Sequence, residues 1–96
     1  MVIRWRKQAE ADLAELFEYL LERNPGSARR IRDVIVGQVS LLTEHPALGR
    51  IGRVASTREL VVTGTPYLVA YTVDQRTGTV VVLRVLHGAR SWPEHL

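Results

Sequence analysis

The protein has 96 residues, of which 46% are hydrophobic and 24% charged, values ordinary for one soluble globular domain spanning residues 1–96. It has no cysteine, which excludes disulfides and thiolate metal sites, and no apolar run approaches the roughly 20 residues of a membrane span. The net charge of +3 lies in the second half: residues 1–48 carry seven basic and seven acidic side chains, and residues 49–96 carry six and three. This excess is typical either of a solvated surface or of a surface for a polyanion or acidic partner.

The first half of the chain predicts a strand followed by two helices. Val2–Trp5 reads as a short strand, and an apolar repeat of three- and four-residue steps over residues 9–21 predicts an amphipathic helix. The acidic residues of that helix, Asp12 among them, are expected on its solvent side. An Asn-Pro-Gly-Ser segment ends the helix, and Ser27 can cap a second helix over residues 28–44. So short a connection predicts an antiparallel helical hairpin.

The second half predicts an irregular basic loop followed by three strands. The loop covers residues 45–57, and the strands cover residues 58–62, Tyr67–Asp74 and Thr79–His87. Gly78 can adopt the positive φ that the last hairpin turn needs. The order β-α-α-β-β-β predicts an α+β fold, in which the helical hairpin packs on one face of a small, twisted, mainly antiparallel sheet.

Side-chain alternation in the last strand predicts one sheet face under the helices and one open face. Val81, Leu83 and Val85 share a face with His87, and this face is apolar enough to meet the helices. Arg84 then projects from the opposite face, for which the sequence offers no cover, so we expect a groove for a partner there. Replacement of Arg84 by alanine should then weaken partner binding and leave the fold nearly intact.

Four motifs in a fixed order carry a family resemblance. They are His45-Pro-x-x-Gly49-Arg50, Arg58-Glu-Leu60, Tyr67-x-x-x-Tyr71-x-Val73 and Leu83-Arg-Val-Leu-His-Gly-Ala-Arg90. With the chain length and element order, they make the sequence resemble the RelE/ParE superfamily of toxins from type II toxin–antitoxin modules. The resemblance implies a toxin that acts in the cytoplasm, arrests growth and contributes to plasmid stabilisation. It also implies a cognate antitoxin that holds the toxin inactive. The toxin would contact operator DNA only through this antitoxin.

The superfamily includes two mechanisms, and the resemblance favours the ParE-like one. RelE-like members are ribosome-dependent ribonucleases that cut mRNA with lysine, arginine and a C-terminal tyrosine or histidine, whereas ParE-like members poison DNA gyrase. This chain has one lysine, Lys7, and no tyrosine after Tyr71, and its Val85-Leu86-His87 segment resembles the ParE-like branch. The resemblance therefore implies an inhibitor of DNA gyrase. The alternatives are an mRNA endonuclease acting on the ribosome and a non-toxic binding module.

The candidate site residues differ between these alternatives. Metal-free RNA cleavage needs a base, a general acid and cations for the phosphorane charge. Glu59 is the candidate base, and neither a metal nor a cofactor is expected, since no metal-ligand spacing or phosphate loop is present. For a RelE-like enzyme the predicted catalytic residues are Arg58, Arg84, His87 and Arg90. For binding of an antitoxin or target, the predicted residues are Arg50, Arg53, Arg58, Arg84, Arg90 and Trp92. Structural roles are the alternative for His87, as a hydrogen-bonded residue, and for Tyr67 and Tyr71, as core residues.

Overall fold

A computed structural model describes residues 1–96 and contains two helices and five strands. The strands form one sheet in the order β1-β5-β4-β3-β2, with β1 parallel to β5 and all other pairs antiparallel. The predicted α+β fold, with its helical hairpin against a mainly antiparallel sheet, is confirmed. Neither helix has the length and apolar character needed to cross a membrane. The elements are β1 Val2–Trp5, α1 Lys7–Arg23, α2 Pro25–Ser40, β2 Arg50–Ile51, β3 Arg58–Val61, β4 Tyr67–Asp74 and β5 Thr79–His87.

The second helix starts earlier and ends earlier than the sequence predicts. Asn24 is its N-cap, and the Asn24 side chain accepts a hydrogen bond from the Ser27 N–H at 3.1 Å. Pro25 follows at the first helical position, where its missing N–H is harmless. The prediction that Ser27 caps the helix is therefore wrong. After Ser40 the backbone tightens into a 3-10 turn at Leu41–Thr43.

One hydrophobic core fills the space between the helical hairpin and the sheet. The apolar side of α2 is buried in this core through Ile31, Ile35 and Val39. Burial of each such aliphatic side chain stabilises the fold by about 1.5–3 kcal/mol. This packing fixes the helices over one face of the sheet. The strands contribute Leu60, Val69, Tyr71, Val80, Val82 and Val85 to the core, and Val62, just after β3, also lies there.

A β-bulge in β5 changes which of its residues face the helices. Tyr71 pairs with Val82 and Ala70 pairs with Arg84, so Leu83 is an extra residue on the β5 side. The bulge resets the alternation along the strand. Val80 and Val82 therefore join Val85 in the core, in place of the predicted Val81 and Leu83.

The sheet face away from the helices is partly covered, contrary to the prediction. Ala70 and Leu83 are buried although neither belongs to the core under the helices. Glu59 pairs with Ala70 and lies on the same side, because its neighbour Leu60 faces the core. Glu59 also binds Arg53, whose guanidinium lies over a C-terminal tryptophan. The loop before β3 and the chain after β5 therefore meet on this face.

Candidate functional site

A cleft of about 530 Å³ opens between α1 and the C-terminal end of β5. Three of the four predicted catalytic residues line it, namely Arg84, His87 and Arg90. The cleft is also bounded by Tyr67 from β4 and by acidic side chains of α1. Its walls thus combine cationic, acidic and aromatic groups at one end of the sheet.

The central feature of the cleft wall is an ion pair between Arg84 and Asp12. The Arg84 Nε donates to Asp12 Oδ2 at 2.7 Å, and its Nη2 donates to Oδ1 at 3.1 Å. The Val85 N–H and the Gln8 side-chain amide also donate to this carboxylate, at 2.9 and 3.0 Å. The side chains are only 21% and 7% exposed. The bonds to Asp12 raise the pKa of Arg84, which stays charged and tied to α1.

The prediction that Arg84 projects from an open sheet face is therefore wrong. The bulge at Leu83 breaks the regular alternation on which that prediction relied. Asp12, which holds Arg84, is buried, so the expectation that it lies on the solvent side of α1 is wrong. Its position gave a signal: it lies three residues after Ala9 and four before Leu16, both buried, so it falls within the apolar stripe of α1.

His87 closes β5 and already makes structural contacts. Its Nδ1 accepts a hydrogen bond from the Ala89 N–H at 3.1 Å, which favours the tautomer protonated on Nε2. The ring meets Tyr67 edge-on, with centroids 5.6 Å apart. Burial raises the pKa of Tyr67, so its hydroxyl stays protonated near neutral pH. Both rings line the same cleft as Arg90.

A second charged site lies two strands away, on β3, where Glu59 is bound by two arginines. Its carboxylate is 2% exposed and accepts hydrogen bonds from the Arg50 and Arg53 guanidinium groups and from the Arg53 N–H. Burial raises the pKa of Glu59, but these hydrogen bonds outweigh that effect and lower it below its usual value. The predicted base is thus an ionised counter-ion whose oxygens are already occupied.

The remaining predicted residues complete this second site. The Arg53 guanidinium lies 3.7 Å from the centroid of the Trp92 ring, which holds the C-terminal segment in place. The Trp92 indole N–H is buried without a hydrogen-bond partner. Arg58 donates from Nη1 to the Gly49 carbonyl at 2.7 Å and is absent from the cleft around Arg84. The structure therefore divides the predicted catalytic residues between two places.

Tyr71 and Gly49 explain why two of the sequence motifs occur together. The Tyr71 hydroxyl donates to the Pro46 carbonyl at 2.7 Å and accepts from the Gly49 N–H at 2.8 Å. A Cβ on Gly49 would lie 2.6 Å from that hydroxyl oxygen, so only glycine fits. The structural alternative for Tyr71 is confirmed, since it is fully buried in the core. Its hydroxyl fixes the loop that leads into β2.

An apolar groove on the outer side of the helical hairpin was not predicted. It has a volume of about 590 Å³ and is formed by side chains from β1 and both helices. The Arg32 guanidinium lies 4.5 Å from the centroid of the Phe17 ring and borders it. The sequence signal was the breadth of the apolar stripe on α1, which is wider than one sheet face can bury. The other residues lining the groove are Trp5, Glu10, Leu13, Ala14 and Val36.

Comparisons with known proteins give a consistent result. A family described as the ParE toxin of the type II toxin–antitoxin system, parDE, matches residues 3–92. A Sinorhizobium fredii protein that carries the toxin name Y4kP is 38% identical over 94 residues, covering 98% of this chain and 95% of that protein. Toxin RelE2 of Caulobacter vibrioides is 35% identical over 86 residues, covering 90% and 93%. The chromosomal ParDE system from P. aeruginosa contains a chain that superposes with a TM-score of 0.82 at 24% identity, covering 91% and 95%.

Proposed function

Because the chain belongs to the family of ParE toxins of type II toxin–antitoxin systems, we propose that it arrests growth by inhibiting DNA gyrase in the cytoplasm. A cognate antitoxin would neutralise it. In this mechanism the toxin binds its target and transfers no proton, so it requires charged and apolar surface, with no catalytic base.

The observation that supports gyrase over mRNA as the target is the state of Glu59. Metal-free RNA cleavage requires a base that can reach the 2′-hydroxyl and accept its proton. The Glu59 carboxylate is buried, and its lowered pKa makes it a weak base. Arg58, the cation expected beside the scissile phosphate, bonds to loop carbonyls instead. Glu59 and Arg58 therefore lie apart from Arg84, His87 and Arg90, which line the cleft at the end of β5.

Among the arginines predicted for the site, two are not paired with a carboxylate. Arg58 bonds only to backbone carbonyls, and Arg90 is exposed beside the cleft. Arg84 and Arg53, in contrast, are committed to Asp12 and Glu59. We therefore propose Arg58 and Arg90 as target contacts, while Arg84 has a structural role.

The antitoxin would use a different surface, the apolar groove of the helical hairpin. A groove of about 590 Å³ bordered by Arg32 suits apolar side chains from one face of a partner helix. An antitoxin segment that folds on binding could cover the groove and continue toward the basic second half of the chain.

An mRNA endonuclease is the second candidate function, and the cleft at the end of β5 favours it. This cleft brings His87 and Arg90 together beside Tyr67, a set that could bind a phosphate and transfer a proton. Arg90→Ala should then abolish cleavage. Arg76 is an exposed arginine in the β4–β5 turn, and Arg76→Ala is the matched control.

The deciding experiment induces the chain alone and together with the antitoxin encoded beside it. We expect growth arrest, a DNA-damage response and inhibition of supercoiling by purified gyrase, each reversed by the antitoxin. Primer extension should show no new mRNA ends. Ribosome-dependent cuts with unaffected supercoiling would replace gyrase by mRNA as the target. Normal growth despite verified expression would leave only the non-toxic binding module.

A further inference from the structure

The outer edge of β2 carries unpaired backbone groups. The Gly52 N–H donates to the Thr57 carbonyl at 2.8 Å, and the register places Ile51 opposite Arg58. In an antiparallel ladder, hydrogen-bonded and non-hydrogen-bonded pairs alternate. Ile51 therefore occupies a non-hydrogen-bonded position, and its N–H and C=O point away from β3. No strand lies beyond β2 in the sheet.

The side chains at this edge are unusually apolar for side chains that are exposed to solvent. Ile51 is 82% exposed and Leu48, just before the strand, is 51% exposed. Unpaired N–H and C=O groups along a sheet edge can pair with another strand, and exposed apolar side chains beside them can pack against that strand. The apolar edge therefore indicates a docking surface for an extended segment.

The charge around the edge indicates what that segment carries. The region holds Arg50, Arg53 and Arg58 against the single carboxylate of Glu59, a formal charge of 3 − 1 = +2. No other acidic residue occurs between positions 45 and 66. A second copy of the chain pairing here would place the same surplus against itself, which is repulsive. The complementary partner is an extended segment with acidic side chains.

The edge is also rigid before any partner arrives. Tyr71 holds the loop at Pro46 and Gly49 on one side of β2. On the other side, Gly52 packs so closely on Thr57 that a Cβ would lie 2.9 Å from the Thr57 carbonyl oxygen. An edge that is already ordered loses little conformational entropy on pairing.

We infer that an acidic, extended segment of the antitoxin pairs with β2 through the Ile51 backbone and adds a sixth strand to the sheet. Main-chain hydrogen bonds fix its position, Leu48 and Ile51 receive its apolar side chains, and its carboxylates lie near Arg50 and Arg58. This inference rests on the proposed function for the existence of the antitoxin. The segment is distinct from the one assigned to the helical groove.

Hydrogen exchange of backbone amides gives the most direct test. In the free toxin the Ile51 amide should exchange quickly, and the intact antitoxin should slow it at least tenfold. The Gly52 amide, which already bonds to Thr57, is the internal control and should change little. An Ile51 amide that exchanges equally fast in the free and bound toxin would overturn the inference.

Substitution at the same residue gives the second test. Ile51→Pro removes the outward N–H and keeps the inward bonds of β2, because proline is tolerated on an edge strand where its nitrogen faces solvent. We expect Ile51→Pro to lower the antitoxin affinity, measured by calorimetry, at least tenfold. Ile51→Thr should lower this affinity less. Val2→Thr is the matched control, an exposed apolar residue on the opposite edge of the sheet, and should bind normally.

The outcomes separate this inference from the proposed function. If the antitoxin binds and neutralises both wild type and Ile51→Pro equally, the sixth strand is wrong and the toxin assignment stands. If the free chain forms a dimer that Ile51→Pro abolishes, self-pairing replaces the acidic segment. If the antitoxin neither binds wild type nor relieves growth arrest, the proposed function itself fails.

Discussion

Two buried carboxylates of this protein bind arginine in opposite ways. Asp12 forms a one-to-one pair with Arg84, and both side chains are largely covered. Glu59 is equally covered, but its arginine partners, Arg50 and Arg53, are 56% and 44% exposed. The first site is closed and electrically balanced, so it contributes to folding. The second leaves positive charge at the surface, so the same chemistry can serve both folding and recognition.

The comparison is tested most strongly by Arg84→Ala. This change leaves the Asp12 carboxylate buried without its counter-ion, and breaking such a pair destabilises a protein by about 3–5 kcal/mol. Urea unfolding should show that loss. The double variant Asp12→Leu/Arg84→Met should recover part of it, because apolar pairs of similar volume replace buried ion pairs well, whereas the Val85 N–H loses its acceptor. A loss below about 1 kcal/mol, the level of an exposed charge, would contradict the closed site.

At the second site, Glu59→Gln should cost less, about 2–3 kcal/mol, because the amide oxygen still accepts hydrogen bonds, although the amide NH2 cannot replace the second carboxylate oxygen. It should also change the response to acid. The pKa of Glu59 is lowered, so its ion pairs stabilise the fold above the ordinary glutamate pKa of about 4.3 and fail as the pH falls through the lower folded value. Chemical unfolding between about pH 6 and pH 2 should therefore separate the variant from wild type. Parallel curves would show that Glu59 is not the acid-sensitive group.

Tyr71→Phe sharpens the comparison by loosening the support of β2 without touching a charge. The Pro46 carbonyl and the Gly49 N–H would both lose a partner, at a cost of about 1–3 kcal/mol. Antitoxin affinity should fall together with stability, whereas a matched Tyr19→Phe change on exposed α1 should affect neither. An affinity unchanged by Tyr71→Phe would show that recognition does not need an ordered β2.

The smallest expected effect is a gain in stability outside both sites. Gly37 lies within α2, and a Cβ there would meet nothing within 4 Å. Gly37→Ala should stabilise the fold by about 1 kcal/mol through helix propensity alone. Measured by thermal unfolding, this variant gives a background for testing whether Arg84→Ala loses toxicity only because it unfolds. A destabilised Gly37→Ala protein would mean that the helix backbone is under a constraint not visible at this position.

The local parts of the fold could be predicted from the sequence, and the parts set by distant contacts could not. The apolar repeats of α1 and α2 and the β-branched runs of β4 and β5 determine their own conformation. The bulge at Leu83 depends on how β5 pairs with β4, which no local pattern encodes. The position of Arg84 was missed for that reason, and Asp12 was missed because its partner lies 72 residues away.

The site at β2 shows a different limit. A strand of two residues, Arg50 and Ile51, is too short for any alternation to appear. Its basic character was visible in the sequence and is the reason that Arg50 and Arg53 are predicted as partner contacts. Their joint partner, Glu59, was read as a base because sequence gives residue types but not which hydrogen-bond acceptors are already occupied.

The parallel pairing of β1 with β5 has a consequence for synthesis. The first strand has no neighbour in the sheet until the last strand exists, and the Asp12 carboxylate meets Arg84 and the Val85 N–H across 72 and 73 residues. Contacts this distant in sequence form late, and a chain emerges from the ribosome at about 5–20 residues per second. The nascent polypeptide therefore stays without its complete core until Thr79–His87 has been translated.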